Sequence, residues 1–269
     1  MDVIEITWWS LAGTSLLVLG LAVCTHLARM GVSRDLLIAA VRTVIQLALI
    51  GLVLETLFAF AALQWVVLMG VAMVLIAGRE VMARQNRRLT GGWAFGIGTV
   101  SMFLSSFTVA AFALTVVIGP EPWYTPQYSI PLLGMMLGNT MTGIALGLDR
   151  LTDTAWQQRQ VIEGRLMLGQ SWSTAIGDIR RDAMRTGMIP TINAMAAAGV
   201  VSLPGMMTGQ ILAGTPPALA VKYQILVMFL ITVGTGFGTV ASVLIGARRL
   251  FDDRERLRLD RLSLPRKGA

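Results

Sequence analysis

The chain has 269 residues, of which 55% are hydrophobic and only 14% charged, with a mean hydropathy of +0.68. That composition excludes an ordinary soluble domain, and a lone cysteine, Cys24, excludes an internal disulfide or a Cys-pair redox or zinc site. The formal charge of +7 and pI near 10.7 would suggest nucleic acid in a soluble protein. Here the placement of the basic residues accounts for them, and no nucleic-acid partner is expected.

Runs of about 20 apolar residues, the length that crosses a bilayer, recur along the chain. The opening, MDVIEITWW, is acidic and lacks a basic n-region, so no cleaved signal peptide is expected. Spans are predicted at 8–27, 36–54, 59–78, 93–118, 129–148, 189–213 and 224–247. The reading is an all-α integral membrane protein of about seven transmembrane helices, a single domain over 1–269.

The loops set the orientation. Arg29 and Arg34 follow the first span, Arg79, Arg84, Arg87 and Arg88 the third, and Arg150 through Arg185 the fifth. A basic tail, 248–269, follows the seventh. Of the 22 Lys and Arg residues, only Arg42 and Lys222 fall elsewhere. The positive-inside rule then places the N-terminus outside and the C-terminus in the cytoplasm of a cell membrane. Trp8, Trp9, Trp65, Trp93, Trp123 and Tyr124 lie near span ends, as an aromatic belt does.

Within the second span, Arg42 and Gln46 share one helix face. A charge in a span points to function, yet Arg42 is close enough to the basic end to snorkel or to pair structurally. In the fifth span Gly134 and Gly138 form a G-x-x-x-G pair, and Asn139, Gly143 and Gly147 continue a second small-residue stripe. Such stripes let helices approach closely, and Asn139 would bring an amide into that contact. Gly234 and Gly238 repeat the pattern in the last span, for packing or a subunit contact.

The cytoplasmic segment 149–190 reads as two short helices separated around Gly169, lying on the membrane or docking a partner. The sixth span, IPTINAMAAAGVVSLPGMMTGQILAG, is broken in its middle by Pro204–Gly205. Proline removes a backbone hydrogen bond, and in hydrocarbon such a break survives only where protein or a water-lined cavity satisfies the freed groups. With Asn193, Met206, Met207 and Gln210 in the same stretch, it is either a transport pathway or a packing kink.

Carboxylates within the spans are essentially absent, so no proton relay is visible. There is no G-x-x-x-x-G-K-[ST] run, and the only lysines are Lys222 and Lys267. The chain is therefore not expected to hydrolyse ATP or to act as an enzyme.

The run VVSLPGMMTGQILAGTPPALAVKYQI (200–225) closely resembles the signature of the FetB-type ABC permease family. The resemblance extends to RTVIQLALIG (42–51), MMLGNTM (135–141) and EGRLMLGQS (163–171), in the same order and at similar spacing. Bacterial members are described as the membrane half of an iron exporter, and plant relatives as ABC transporters linked to aluminium tolerance. The resemblance implies a permease that takes no cofactor itself, ATP and magnesium being bound by a separate ATP-binding ABC subunit. It implies a homodimer in lipid moving a metal ion or small solute. Glu163, Gly164 and Gly169 partly match a coupling helix, keeping the family's Glu and Gly spacing but not its two alanines or terminal Leu-Pro. Arg42, Gln46, Asn139, Asn193, Pro204, Gly205, Met206, Met207 and Gln210 would line the pathway. No strong iron cage is available, because iron prefers oxygen and imidazole ligands while Met206 and Met207 are soft thioethers. The metal site is left open. The rival from another class is a gradient-driven carrier or channel working without an ATPase, and a third reading is a membrane scaffold or receptor.

Overall fold

A computed structural model of the chain describes residues 7–60 and 62–264, except the side chains of Trp8 and Phe60. The acidic start and the basic Arg266 and Lys267 lie outside the described residues. Ten α-helices follow in order: α1 Trp8–Leu27, α2 Ser33–Phe60, α3 Leu63–Arg84, α4 Trp93–Phe112, α5 Pro126–Gln157, α6 Arg159–Met167, α7 Trp172–Ala175, α8 Gly177–Ala197, α9 Gly205–Leu212 and α10 Pro217–Arg249. A π-helical segment, Ala113–Ile118, prolongs α4. Apart from isolated bridges, the described residues contain no β-structure.

Six helices (α1 to α5 and α10, α4 with its π segment) are long and apolar enough to cross a membrane. They correspond to six of the seven predicted spans. The remaining one, the sixth at 189–213, is not one helix. The chain instead runs up through α8, which begins in the charged segment assigned to the loop, and breaks between Ala197 and Gly205. Charges at Asp178, Arg180, Arg181, Asp182 and Arg185 kept that first half of α8 from reading as a span.

Local chemistry sets the boundaries. Thr7 caps α1 by accepting from the Ser10 amide. Pro126 and Pro217 occupy the first positions of α5 and α10, where no amide hydrogen is needed. Gly169, at φ +87°, takes the left-handed conformation that ends α6.

The core lies among α3, α4, α5, α8 and α10, with Met102, Met136, Ile144, Leu148 and Val243 wholly or almost wholly buried. Small residues bring these helices together. A Cβ at Gly187 would sit 2.5 Å from the Gly143 carbonyl oxygen, and one at Gly238 2.6 Å from Thr140 Cγ2. The packing roles expected for Gly143, Gly147, Gly234 and Gly238 are thereby met within a single chain. By contrast, α1 and α2 form a hairpin on the outside: α2 buries only Leu57 among its described residues.

At the arginine-rich end the loops are bound to one another. The Asn86 amide donates to Asp149 Oδ1 at 2.6 Å, and Thr152 Oγ1 donates to the Arg87 carbonyl at 2.6 Å. After α10 the chain folds back: Leu262 bridges Leu89, and the Thr90 amide donates to the Arg261 carbonyl. The tail also meets the loop before α8, where the Trp172 amide donates to Glu255 Oε2 at 3.0 Å and the Trp172 and Phe251 rings lie 5.7 Å apart.

Candidate functional site

The residues singled out from the sequence fall into three places. The first is the segment after α5. Its predicted break is at Gly169, with α6 before it and the short α7 and α8 after it. Ile162 and Ile176 anchor the segment in the core, and Arg165 holds its two limbs together through the Ala175 carbonyl at 3.1 Å and Asp178 at 3.1 Å. What projects is the turn. Glu163 and Gly169 are exposed, a Cβ at Gly164 would meet nothing within 4 Å, and Met167 and Leu168 are 86% and 84% exposed.

The second place is the broken stretch. Gly199 and Gly214 adopt φ +82° and +92° before and after α9, and the turn at Gly199 closes through Gly199 N–H to Ser202 O and Ser202 N–H to Ala197 O. These bonds satisfy part of the backbone freed by the break, while no side chain caps the start of α9. Pro204 precedes α9 in extended conformation and Gly205 opens it. Met206 packs on the core and Met207 is half-buried. Gln210 Oε1 is buried with no partner among the described residues, and so is Gln224 Oε1 on α10. An unpaired buried amide is costly, so both are candidates for contact with a ligand. Gln224 escaped the sequence reading because it sat at the margin of a predicted span. Asn193 is exposed on α8.

The third place is a crevice between α2, α3 and α5, lined by Arg42, Gln46, Gly134 and Gly138. Arg42 Nη2 lies 2.5 Å from Glu80 Oε1. This corrects the expectation that the spans lack carboxylates: α3 runs six residues past the predicted end at 78 and carries Glu80 within it. Structural pairing is therefore what Arg42 does in the isolated chain. Of the Gly134 and Gly138 pair, Gly134 packs closely on α3, where a Cβ would sit 3.2 Å from Met73 Cε, whereas Gly138 meets nothing within 4 Å in the single chain. Asn139 is not pressed into a helix contact either; it is exposed, and its amide donates to its own helix at the Met135 carbonyl, 2.8 Å away.

Among the described residues no group of three or more His, Cys, Asp or Glu gathers to hold a metal ion. The oxygen donors that the structure leaves free inside the bundle are weak neutral ones, from glutamine and from hydroxyls such as Thr235 and Thr239.

Comparison with known proteins places these features in a family. The chain is 38% identical over 255 residues to a membrane protein of Synechocystis sp., covering 94% of this chain and 97% of that one. It is 30% identical to the Escherichia coli protein named "Probable iron export permease protein FetB", over 94% of this chain and 95% of the relative. It is 32% identical to the membrane protein STAR2 of Oryza sativa subsp. japonica, over 80% of this chain and 73% of the relative. No solved structure matches it. Residues 8–251 match the model described as "Uncharacterised protein family (UPF0014)", and the chain, an all-α membrane protein, belongs to that family.

Proposed function

We propose that this chain is the membrane-spanning permease subunit of an ABC transporter, two copies of it working with two copies of a separate ATP-binding subunit to export a metal ion, iron being the cargo named for one relative. The observation that carries the reading is the turn at Met167–Gly169. Two large apolar side chains stand almost fully exposed at the end of a segment whose other side is buried and ion-paired. An exposed apolar tip on a rigid base suits a groove in a soluble partner.

The base is suited to transmit movement. α5 runs unbroken for 32 residues from the loop at its start to the rim of the docking segment, and its close packing with α8 and α10 moves the three together. Closure of the ATP-binding subunits would then shift these helices as a body. Arg42, Gln46, Asn139 and Asn193 are all exposed on the single chain, which suits a pathway walled by two copies. Gln210 and Gln224 offer neutral oxygens that would hold a cation weakly enough to release it.

The test is purification of the tagged chain under gentle extraction, beside a variant carrying Glu163→Ala and Gly169→Ala and another carrying Met167→Asp and Leu168→Asp. An ATP-binding subunit is expected with the unaltered chain and lost with both variants. If no ATPase accompanies the unaltered chain, the reading fails and a gradient-driven carrier takes its place.

A further inference from the structure

The crevice between α2, α3 and α5 has a volume of about 1050 Å³, just above the roughly 300–1,000 Å³ typical of small-molecule sites. Its two ends differ in chemistry. At the basic end of the bundle it is lined by Arg84, and about one turn further in Glu80 pairs with Arg42, with Arg79 next to it. Neither Arg79 nor Arg84 has a hydrogen-bond or ion-pair partner among the described residues. Asp35 is the one further acid in the lining, so cations outnumber acids there.

Deeper in, the lining turns mostly apolar: Met73, Ile76 and Leu137 line the space, and the bare backbone at Gly138 widens it. The side formed by α2 is open, because α2 packs so little against the rest of the molecule. A ligand can enter sideways, from the bilayer. A small soluble anion would use only the arginine end, and a neutral lipid only the apolar wall.

We propose that this crevice binds an anionic phospholipid, with its phosphate between Arg79 and Arg84 and one acyl chain running inward along Ile76 and Leu137 across Gly138. Basic pockets between membrane helices recognise such headgroups, and the apolar wall adds the hydrocarbon contact that retains them. The site depends on the chain lying in a membrane and is independent of any ATPase.

Native mass spectrometry of the purified full chain, given phosphatidylglycerol or phosphatidylcholine at equal mole fraction, tests it. Phosphatidylglycerol is expected to be retained in preference, and Arg79→Ala and Arg84→Ala to lower its occupancy roughly fivefold each. Gly138→Phe, which fills the open space at the wall, is expected to lower it with the arginines intact. Arg180→Ala with Arg185→Ala removes equal charge elsewhere and is expected to change nothing; circular dichroism confirms that each variant is folded. Equal retention of the two lipids overturns the proposal, as does unchanged occupancy in the arginine and Gly138 variants or an equal fall in the Arg180 and Arg185 variant. Displacement of the bound lipid by millimolar glycerol phosphate overturns the assignment to a lipid, since a soluble phosphate ester would then suffice.

Discussion

Gly187 and Gly138 carry the same residue type to opposite ends. A methyl group at Gly187 would collide with the Gly143 carbonyl oxygen and with Thr239 Cγ2 at 2.6 Å, and neither backbone nor packed threonine can withdraw far. Gly187→Ala is expected to destabilise the chain by about 1–3 kcal/mol, as overpacking does. Gly138→Ala meets open space and is expected to stabilise α5 by about 0.5–1 kcal/mol through helix propensity. Thermal unfolding of the two variants in one detergent checks both. Arg42 and Glu80 allow a similar contrast. Glu80→Gln leaves Arg42 without its counterion and is expected to lower stability by about 1 kcal/mol, a modest figure because Arg42 is nearly half exposed. Adding Arg42→Gln to Glu80→Gln should recover most of that loss, because no lone charge remains.

The returning tail is an element in its own right. Asp252 accepts from the Arg256 amide at 2.9 Å, and from the Arg256 side chain and the Arg254 amide at the same distance. These bonds, the Arg256 amide foremost, hold its carboxyl down to about 2 from an ordinary value of 3.8. A depressed carboxylate stabilises its fold fully above its unfolded pKa and loses that contribution as pH falls through the folded one. Protection of the Arg254 and Arg256 amides from hydrogen exchange is therefore expected to persist at pH 5, to decline below pH 4 and to be lost near pH 2. Because Glu255 and Phe251 of the same turn hold Trp172, opening the tail should also raise exchange in the segment between α6 and α8.

For the molecule as a whole, the expected orientation follows from arginine distribution and is open to direct measurement. Cysteines placed in a Cys24→Ala background at Gly169 and at Pro122 lie on opposite ends of α5. In intact cells an impermeant thiol reagent is expected to label the Pro122 position and to reach Gly169 only after the membrane is opened. The reverse pattern would put the Met167–Gly169 turn outside, beyond the reach of the proposed ATP-binding partner. The same labelling would register a second copy, if one shields α8 positions such as Asn193 that are exposed on the single chain.

Much of this was legible in the amino-acid order because the bilayer is a demanding solvent. Every backbone polar group within it must be paired internally, so apolar length translates directly into helices. The span 93–118 was located to the residue, the break before α9 was marked by Pro204–Gly205, and Gly169 ended its helix as expected. What sequence could not supply is which surface each helix turns to which neighbour. Periodicity put Gly134 and Gly143 in similar stripes, yet one borders a crevice and the other touches α8 and α10. Hydropathy also missed the charged first half of α8, and it set the end of α3 short of Glu80. In both cases a charge that looks solvated in one dimension is met by a partner from another helix: Asp182 by Arg150 on α5, Glu80 by Arg42 on α2. Such pairings join residues more than 30 positions apart in the chain, and only the packing of the helices decides them.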